Sequence, residues 1–258
     1  MAARSRRDRV EALILPLVFG ALMVAVWSLS VRLSGTKVFP SLTAVLAGLA
    51  QLQGKGVLLP YVRDSLLRVV VGYSLAVVLG IPLGLSLGLS PLLSRALGPL
   101  LQVLRPISPL AWIPIAIVLF GVGNRAAVFL VFLAAFFPIT LASASAVLGV
   151  PDIYLRAGKN FGLSKAALFT RVLFPAALPE ILVSLRLALG IAWLVVVAAE
   201  MIAVDSGLGY LIIDARNAGK RYDLVVAGIV LIGVVGLVLD LLIRRTEHLR
   251  SVRWGFRQ

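Results

Sequence analysis

Six stretches of this chain run for about 20 residues each with few charges, at residues 12–33, 66–93, 102–123, 126–149, 179–203 and 223–243. A helix needs about 20 such residues to cross a hydrocarbon layer roughly 30 Å thick. No water inside that layer can satisfy the backbone, so each crossing segment bonds within itself as a helix. The alternating polarity of barrel strands is absent. The expectation is an all-α polytopic membrane protein, one transmembrane domain over residues 1–258 with six transmembrane helices.

Composition agrees and removes other classes. Apolar residues make up 60% of the 258 residues, and the mean hydropathy is +1.05. A soluble domain of this length needs more polar surface. With no cysteine, neither a disulfide framework nor a thiolate metal site can form. The single histidine, His248, lies beyond the last apolar stretch, which removes histidine metal clusters; no metal site is expected. The net charge of +14 invites a nucleic-acid reading, but the basic residues follow the spans instead. With the N-terminus inside, residues 4–9, 95–105, 156–186 and 244–257 hold 16 of the 25 Lys and Arg residues on the inner side. The positive-inside rule then puts both termini in the cytoplasm, in the inner or plasma membrane, with the lipid bilayer as partner and no nucleic acid. The basic N-terminal run resembles that of a signal peptide, but the apolar run is long and lacks a small-x-small cleavage site, so it reads as a retained span.

Two segments between spans look ordered. Pro40 and Ser41 start a short external helix over residues 41–52, with Leu42, Val45, Leu46, Leu49 and Leu52 on one face. The inner loop at residues 151–178 reads as a helical elbow. Asp152 caps a first helix, Gly162 breaks it, Ser164 caps a second, and Pro175 and Pro179 stop that one before span five. A water-side loop that is helical and carries Leu155, Phe161, Leu168 and Phe169 either lies on the membrane surface or docks onto a partner.

The elbow residues resemble the "EAA" loop of ATP-binding-cassette importer permeases. That motif has Glu-Ala-Ala, a glycine four residues on, nine residues, then Ile-x-Leu-Pro. Here Arg156, Ala157 and Gly158 precede Gly162, and Val172, Leu173, Phe174 and Pro175 follow in register. Arg156 replaces the Glu and Gly158 the second Ala. Further segments are similar to the nitrate/sulfonate/taurine/bicarbonate group of type I permeases with the MetI-like fold. They are Phe39-Pro40-Ser41, Asp64-Ser65-Leu66, Arg105 to Pro114, Phe120 to Gly123, Ala199 to Ile202, Gly207 to Tyr210 and Arg253-Trp254. The resemblance implies a second permease copy, cytoplasmic ATP-binding subunits docked on the elbow, and an external or periplasmic substrate-binding protein. It also implies that ATP and Mg sit on the partner subunit. This chain has no Gly-x4-Gly-Lys-Ser/Thr phosphate loop of its own, so it is expected to be a transport subunit and not an enzyme.

Other features have competing readings. Gly84-Leu85-Ser86-Leu87-Gly88 matches a Gly-x-Ser-x-Gly nucleophile pattern. Gly80, Gly84 and Gly88 recur every four residues, however, which makes a smooth stripe for helix packing. Glu200, within or near the outer end of span five, is either a structural carboxylate paired with an arginine or backbone group, or the coupling site of an ion-driven secondary transporter. Ser108, Trp112, Trp193 and Glu200 are the candidate pathway or gate residues. Arg105 reads as an interfacial anchor, and Asp240 as an i, i+4 partner of Arg244. Reporter fusions after Arg171 and after Gln258 should read cytoplasmic, and one after Gln53 external; an external signal after Arg171 would remove the elbow from the inner face.

Overall fold

The computed structural model of the chain describes residues 6–34 and 40–244. Among these, every regular element is helical, as the apolar runs require. The elements are α1 (Arg6–Ser34), α2 (Leu42–Gly54), α3 (Leu58–Leu89), α4 (Pro91–Leu104), α5 (Ile113–Phe120), α6 (Asn124–Leu148), α7 (Asp152–Asn160), α8 (Lys165–Leu168), α9 (Phe174–Ala203), α10 (Leu208–Asn217) and α11 (Tyr222–Arg244). Phe39, His248 and the Arg253-Trp254 pair lie outside the described residues.

The core sits where α3, α6 and α9 meet. Val69 and Ala76 of α3, Val131, Ala135 and Ile139 of α6, and Ala188, Ala192 and Val196 of α9 are buried together there. Lipid tails are as apolar as these side chains, so association depends on close van der Waals packing. The α3 stripe supplies it. Gly72, Ala76, Gly80, Gly84 and Gly88 recur at four-residue spacing along the face turned to α6. A Cβ on Gly72 would lie 2.7 Å from the Val128 carbonyl, and one on Gly88 2.7 Å from Val147 Cβ. At Gly84 it would collide with the Thr140 carbonyl. Ser86, the serine of the nucleophile-like pattern, donates to the Pro82 carbonyl one turn earlier at 2.7 Å. The pattern is a packing stripe.

Four helical stretches among the described residues are long and apolar enough to cross a membrane: α3, α6, residues 165–203 and α11. A fifth is a bent pair, and the described apolar part of α1, Leu17–Leu33, is shorter. The bend alters the predicted third span, residues 102–123. α4 ends at Leu104 and the chain turns by 88° before a 3-10 turn, Pro109–Trp112, leads into α5. The cause is local: Pro106 and Pro109 each lack an N–H, and Ser108, before Pro109, leaves the helical region with a ψ of 130°. Ser108 restarts the chain by accepting from the Leu110 amide at 3.3 Å.

Smaller features differ as well. Ser41 caps α2 through the Ala44 amide at 3.2 Å, as predicted, but the buried face is Val45, Gly48 and Leu52, with Leu42 and Leu46 exposed. The bare Gly48 lets α2 settle on Leu224 and the Asp223 backbone, which sets the rotation. Asp240 has a partner on another helix. Its carboxylate takes two bonds from Arg186 of α9, at 2.7 and 3.0 Å, a fork that only Arg offers. Pro175 and Pro179 do not stop the elbow's second helix. A π turn over Phe169–Leu173 carries α8 into α9, and the Phe174 amide reaches back to the Phe169 carbonyl. The wider turn makes room for the ring of Pro175, which has no N–H to give.

Gly84→Val should therefore lower thermal stability in detergent by about 1–3 kcal/mol, because α3 must move off α6. Gly190→Ala, where nothing lies within 4 Å of the new Cβ, serves as the control. Equal melting temperatures for the two variants would contradict the stripe.

Candidate functional site

Two constellations stand out, one at each end of α9. At the far end from the elbow, α10 begins after Gly207 and has no capping side chain of its own. Its first amides need acceptors, because a helix N-terminus leaves its opening N–H groups unpaired. They find them on other helices. Leu208 N–H donates to Ser65 Oγ at 2.9 Å, and Gly209 N–H to Glu200 Oε2 at 2.9 Å. Ser65 in turn donates to Glu200 Oε2 at 2.8 Å. The carboxylate suits this place, because negative charge is favoured at a helix N-terminus.

Glu200 is 0% exposed. Arg68 makes that possible. Its Nη1 donates to Glu200 Oε1 at 2.6 Å and to the Ser206 carbonyl at 2.7 Å. Nε and Nη2 both donate to Asn124 Oδ1, at 2.8 and 2.7 Å, and Nη2 also reaches Ser206 Oγ. One network thus joins α3, the start of α6, the end of α9 and the start of α10. The glycines beside it are obligatory. Gly207 has a φ of +104°, and a Cβ there would press on Glu200 and Arg68; one on Gly209 would strike the Val197 carbonyl.

At the elbow end, α7 closes with Gly162 at φ +74°. Gly162 N–H donates to the Lys159 carbonyl at 2.9 Å and Leu163 N–H to the Gly158 carbonyl at 3.1 Å. This pair of bonds is the Schellman ending, which favours glycine at that position. Ser164 caps α8 through the Ala167 amide at 3.3 Å. The first helix starts at Asp152 itself, one residue earlier than expected, with Pro151 at the cap position. Its carboxylate lies 3.8 Å from Arg156, both side chains 79% exposed, so the pair adds little to stability.

Gly158 is buried against the tips of Leu168, Leu163 and Val172, so the missing side chain lets the two arms of the elbow close. Leu155 and Phe169 seat the elbow on Val150, Leu173, Ala177 and Ile181 at the base of α6 and α9. Ala157, Phe174 and Pro175 are half-buried in the same region. The outer face remains free: Ile153, Tyr154 and Phe161 are exposed, as are Arg156, Lys159, Lys165 and Arg171.

The remaining sequence candidates lie apart. Ser108 is exposed at the bend, and Trp112 packs on the α5–α6 cluster around Ile113, Ala116 and Ala127. Trp193 is buried against α11, its indole N–H donating to the Ile232 carbonyl at 3.2 Å and its ring filling the space over Gly236. Sequence reasoning had no role for Arg68, Asn124 or Ser206. The available signal was an arginine three residues after Ser65, on the face that continues into Gly72.

Comparison with known proteins assigns the architecture. Residues 76–250 match the model of the family described as "Binding-protein-dependent transport system inner membrane component". The chain is 41% identical to the nitrate import permease protein of Synechococcus elongatus over 189 residues, 72% of this chain and 68% of that one. It is 36% identical to the Escherichia coli taurine transport system permease protein over 156 residues, 60% of this chain and 55% of that one. In fold it resembles a chain of the inward-facing MetNI methionine ABC transporter, with a TM-score of 0.65 and 21% identity, over 80% of this chain and 99% of that one. The chain belongs to the binding-protein-dependent transport system inner membrane component family. It is a multi-pass permease subunit of an ABC importer, with the MetI-like fold.

Glu200→Gln should leave the Arg68 guanidinium buried without its counter-charge. The expected loss is about 3–5 kcal/mol of stability, read as a lower melting temperature of the purified chain. An unchanged melting temperature would mean that the network does not hold this end of the bundle together.

Proposed function

We propose that this chain forms the translocation pathway of an ATP-driven importer for a small solute of the nitrate, sulfonate, taurine or bicarbonate kind. Two copies form a homodimer around the pathway, an external binding protein delivers the solute, and cytoplasmic ATP-binding subunits carrying ATP and Mg drive the cycle. Both termini face the cytoplasm. The observation that carries this reading is the elbow. Its outer face is exposed, apolar and basic, as a docking surface is, while its inner face is seated on α6 and α9.

The elbow is also built to transmit motion. From Lys165 to Ala203 the chain is one helical unit of 39 residues, so a push on α8 moves the span attached to it. ATP binding that draws two partner subunits together would tilt the two copies of α9 and expose the pathway to alternate sides. The substrate range is supported by the relatives named for nitrate import and taurine transport. The ion-coupled alternative is not favoured, since both oxygens of Glu200 are committed to Arg68, Ser65 and Gly209.

Gly162→Val tests the coupling. Its φ of +74° makes a β-branched side chain cost more than about 1 kcal/mol, and the elbow's exit angle changes. The spans should still insert, while co-purification of the ATPase and solute uptake fall together. Lys165→Ala, on the exposed side of α8, should do much less. Full binding and transport by Gly162→Val would show that the elbow is not the coupling element.

A further inference from the structure

A cavity of about 570 Å³ lies between the α4–α5 bend, α6 and α9. Its volume falls within the range of small-molecule sites, roughly 300–1,000 Å³. The polar groups in its wall are Arg105 at the bend, Ser145 near the end of α6, and Glu180 and Ser184 near the start of α9. All belong to the elbow end of the bundle. The deeper wall is apolar, through Phe137 and Leu133 on α6 and Leu187 and Ile191 on α9. At 1.5 Å per residue, Leu133 lies about 18 Å along α6 from Ser145. A second cavity of about 430 Å³ shares Arg105, Leu141 and Ser145, so Arg105 stands on the wall between the two.

Two facts bear on the ligand. Arg105 and Glu180 have no side-chain hydrogen bond or ion pair within the described residues, unlike Arg68, Arg186 and Arg221, each held by a carboxylate. They also bring opposite charges to one cavity. A simple anion would be drawn by the guanidinium and repelled by the carboxylate. A small zwitterion satisfies both, with its acid group on Arg105 and its ammonium on Glu180. Unpaired charges that line a cavity in a transport subunit are available to solute, and a guanidinium presents the fork that a sulfonate or carboxylate can accept.

We propose that this cavity is a solute-binding vestibule selective for small zwitterions of the amino-sulfonate or amino-acid kind, with Arg105 and Glu180 as its specificity-determining residues. The proposal rests on the importer reading and narrows its substrate range. It also gives Arg105 a different role from that of an interfacial anchor.

The chain has no cysteine, so a single introduced thiol reports without background. Ser145→Cys, exposed in the cavity wall, is labelled with a water-soluble maleimide in the purified permease–ATPase complex, with the binding protein left out. Taurine should protect the thiol at about tenfold lower concentration than propane-1-sulfonate, in which a methyl replaces the ammonium, and nitrate should protect less still. Glu180→Gln should remove the preference for taurine, and Arg105→Gln should remove protection by both sulfonates. Equal protection by taurine and propane-1-sulfonate overturns the zwitterion assignment without needing either variant, and absence of protection by any solute overturns the vestibule. If the ATPase co-purifies and ATP changes the labelling rate, those two failures concern this proposal alone. If no ATPase co-purifies, the importer reading itself fails.

Discussion

The fold depends on how closely the backbone of α3 approaches that of α6. In a bilayer there is no hydrophobic gain from hiding one apolar helix behind another, so attraction must come from atoms in contact. Removing side chains from Gly72, Gly80, Gly84 and Gly88 is what brings those atoms together. α9 then packs against both helices, with Ala188, Ala192 and Val196 completing the same buried cluster. Small residues thus set the distances, and larger ones such as Ile139 and Trp193 fill what remains.

The polar groups follow from that geometry. A guanidinium and a carboxylate buried together are costly unless nearly every donor and acceptor is used. Arg68 and Glu200 meet the requirement because Ser65, Asn124, Ser206 and Gly209 surround them at hydrogen-bond distance. At the opposite end the basic residues of the elbow are exposed. α9 therefore joins an end whose charges are buried and paired to one whose charges meet the surface.

Much of this was legible in the sequence, and the exceptions share a cause. Local chemistry read well: Ser41 and Ser164 cap the helices they precede, Gly162 takes the positive φ that an elbow needs, and the four-residue glycine spacing marks a packing face. Features set by distant partners did not. Nothing near Arg68 in sequence points to Glu200, 132 residues away. Nothing near Asp240 in sequence points to Arg186, 54 residues back, from whose guanidinium it accepts. The bend after Leu104 was hidden for another reason. An apolar run measures only affinity for lipid, and Pro106 and Pro109 break the helix without lowering that affinity. Pro175 misled in the opposite sense, since a π turn absorbs a residue that normally ends a helix.

The borrowed cap of α10 has a consequence for how the chain is made. Ser65 is on α3 and Glu200 is at the end of α9, so the acceptors for the Leu208 and Gly209 amides lie 143 and nine residues earlier in the chain. During synthesis α10 emerges long after α3, and its first turn has no complete set of acceptors until α3 and α9 lie side by side. The first turn of α10 is therefore completed only when α3 and α9 are correctly placed. A chain whose earlier helices are misplaced leaves α10 with open amides, and a segment frayed in that way is open to proteolysis.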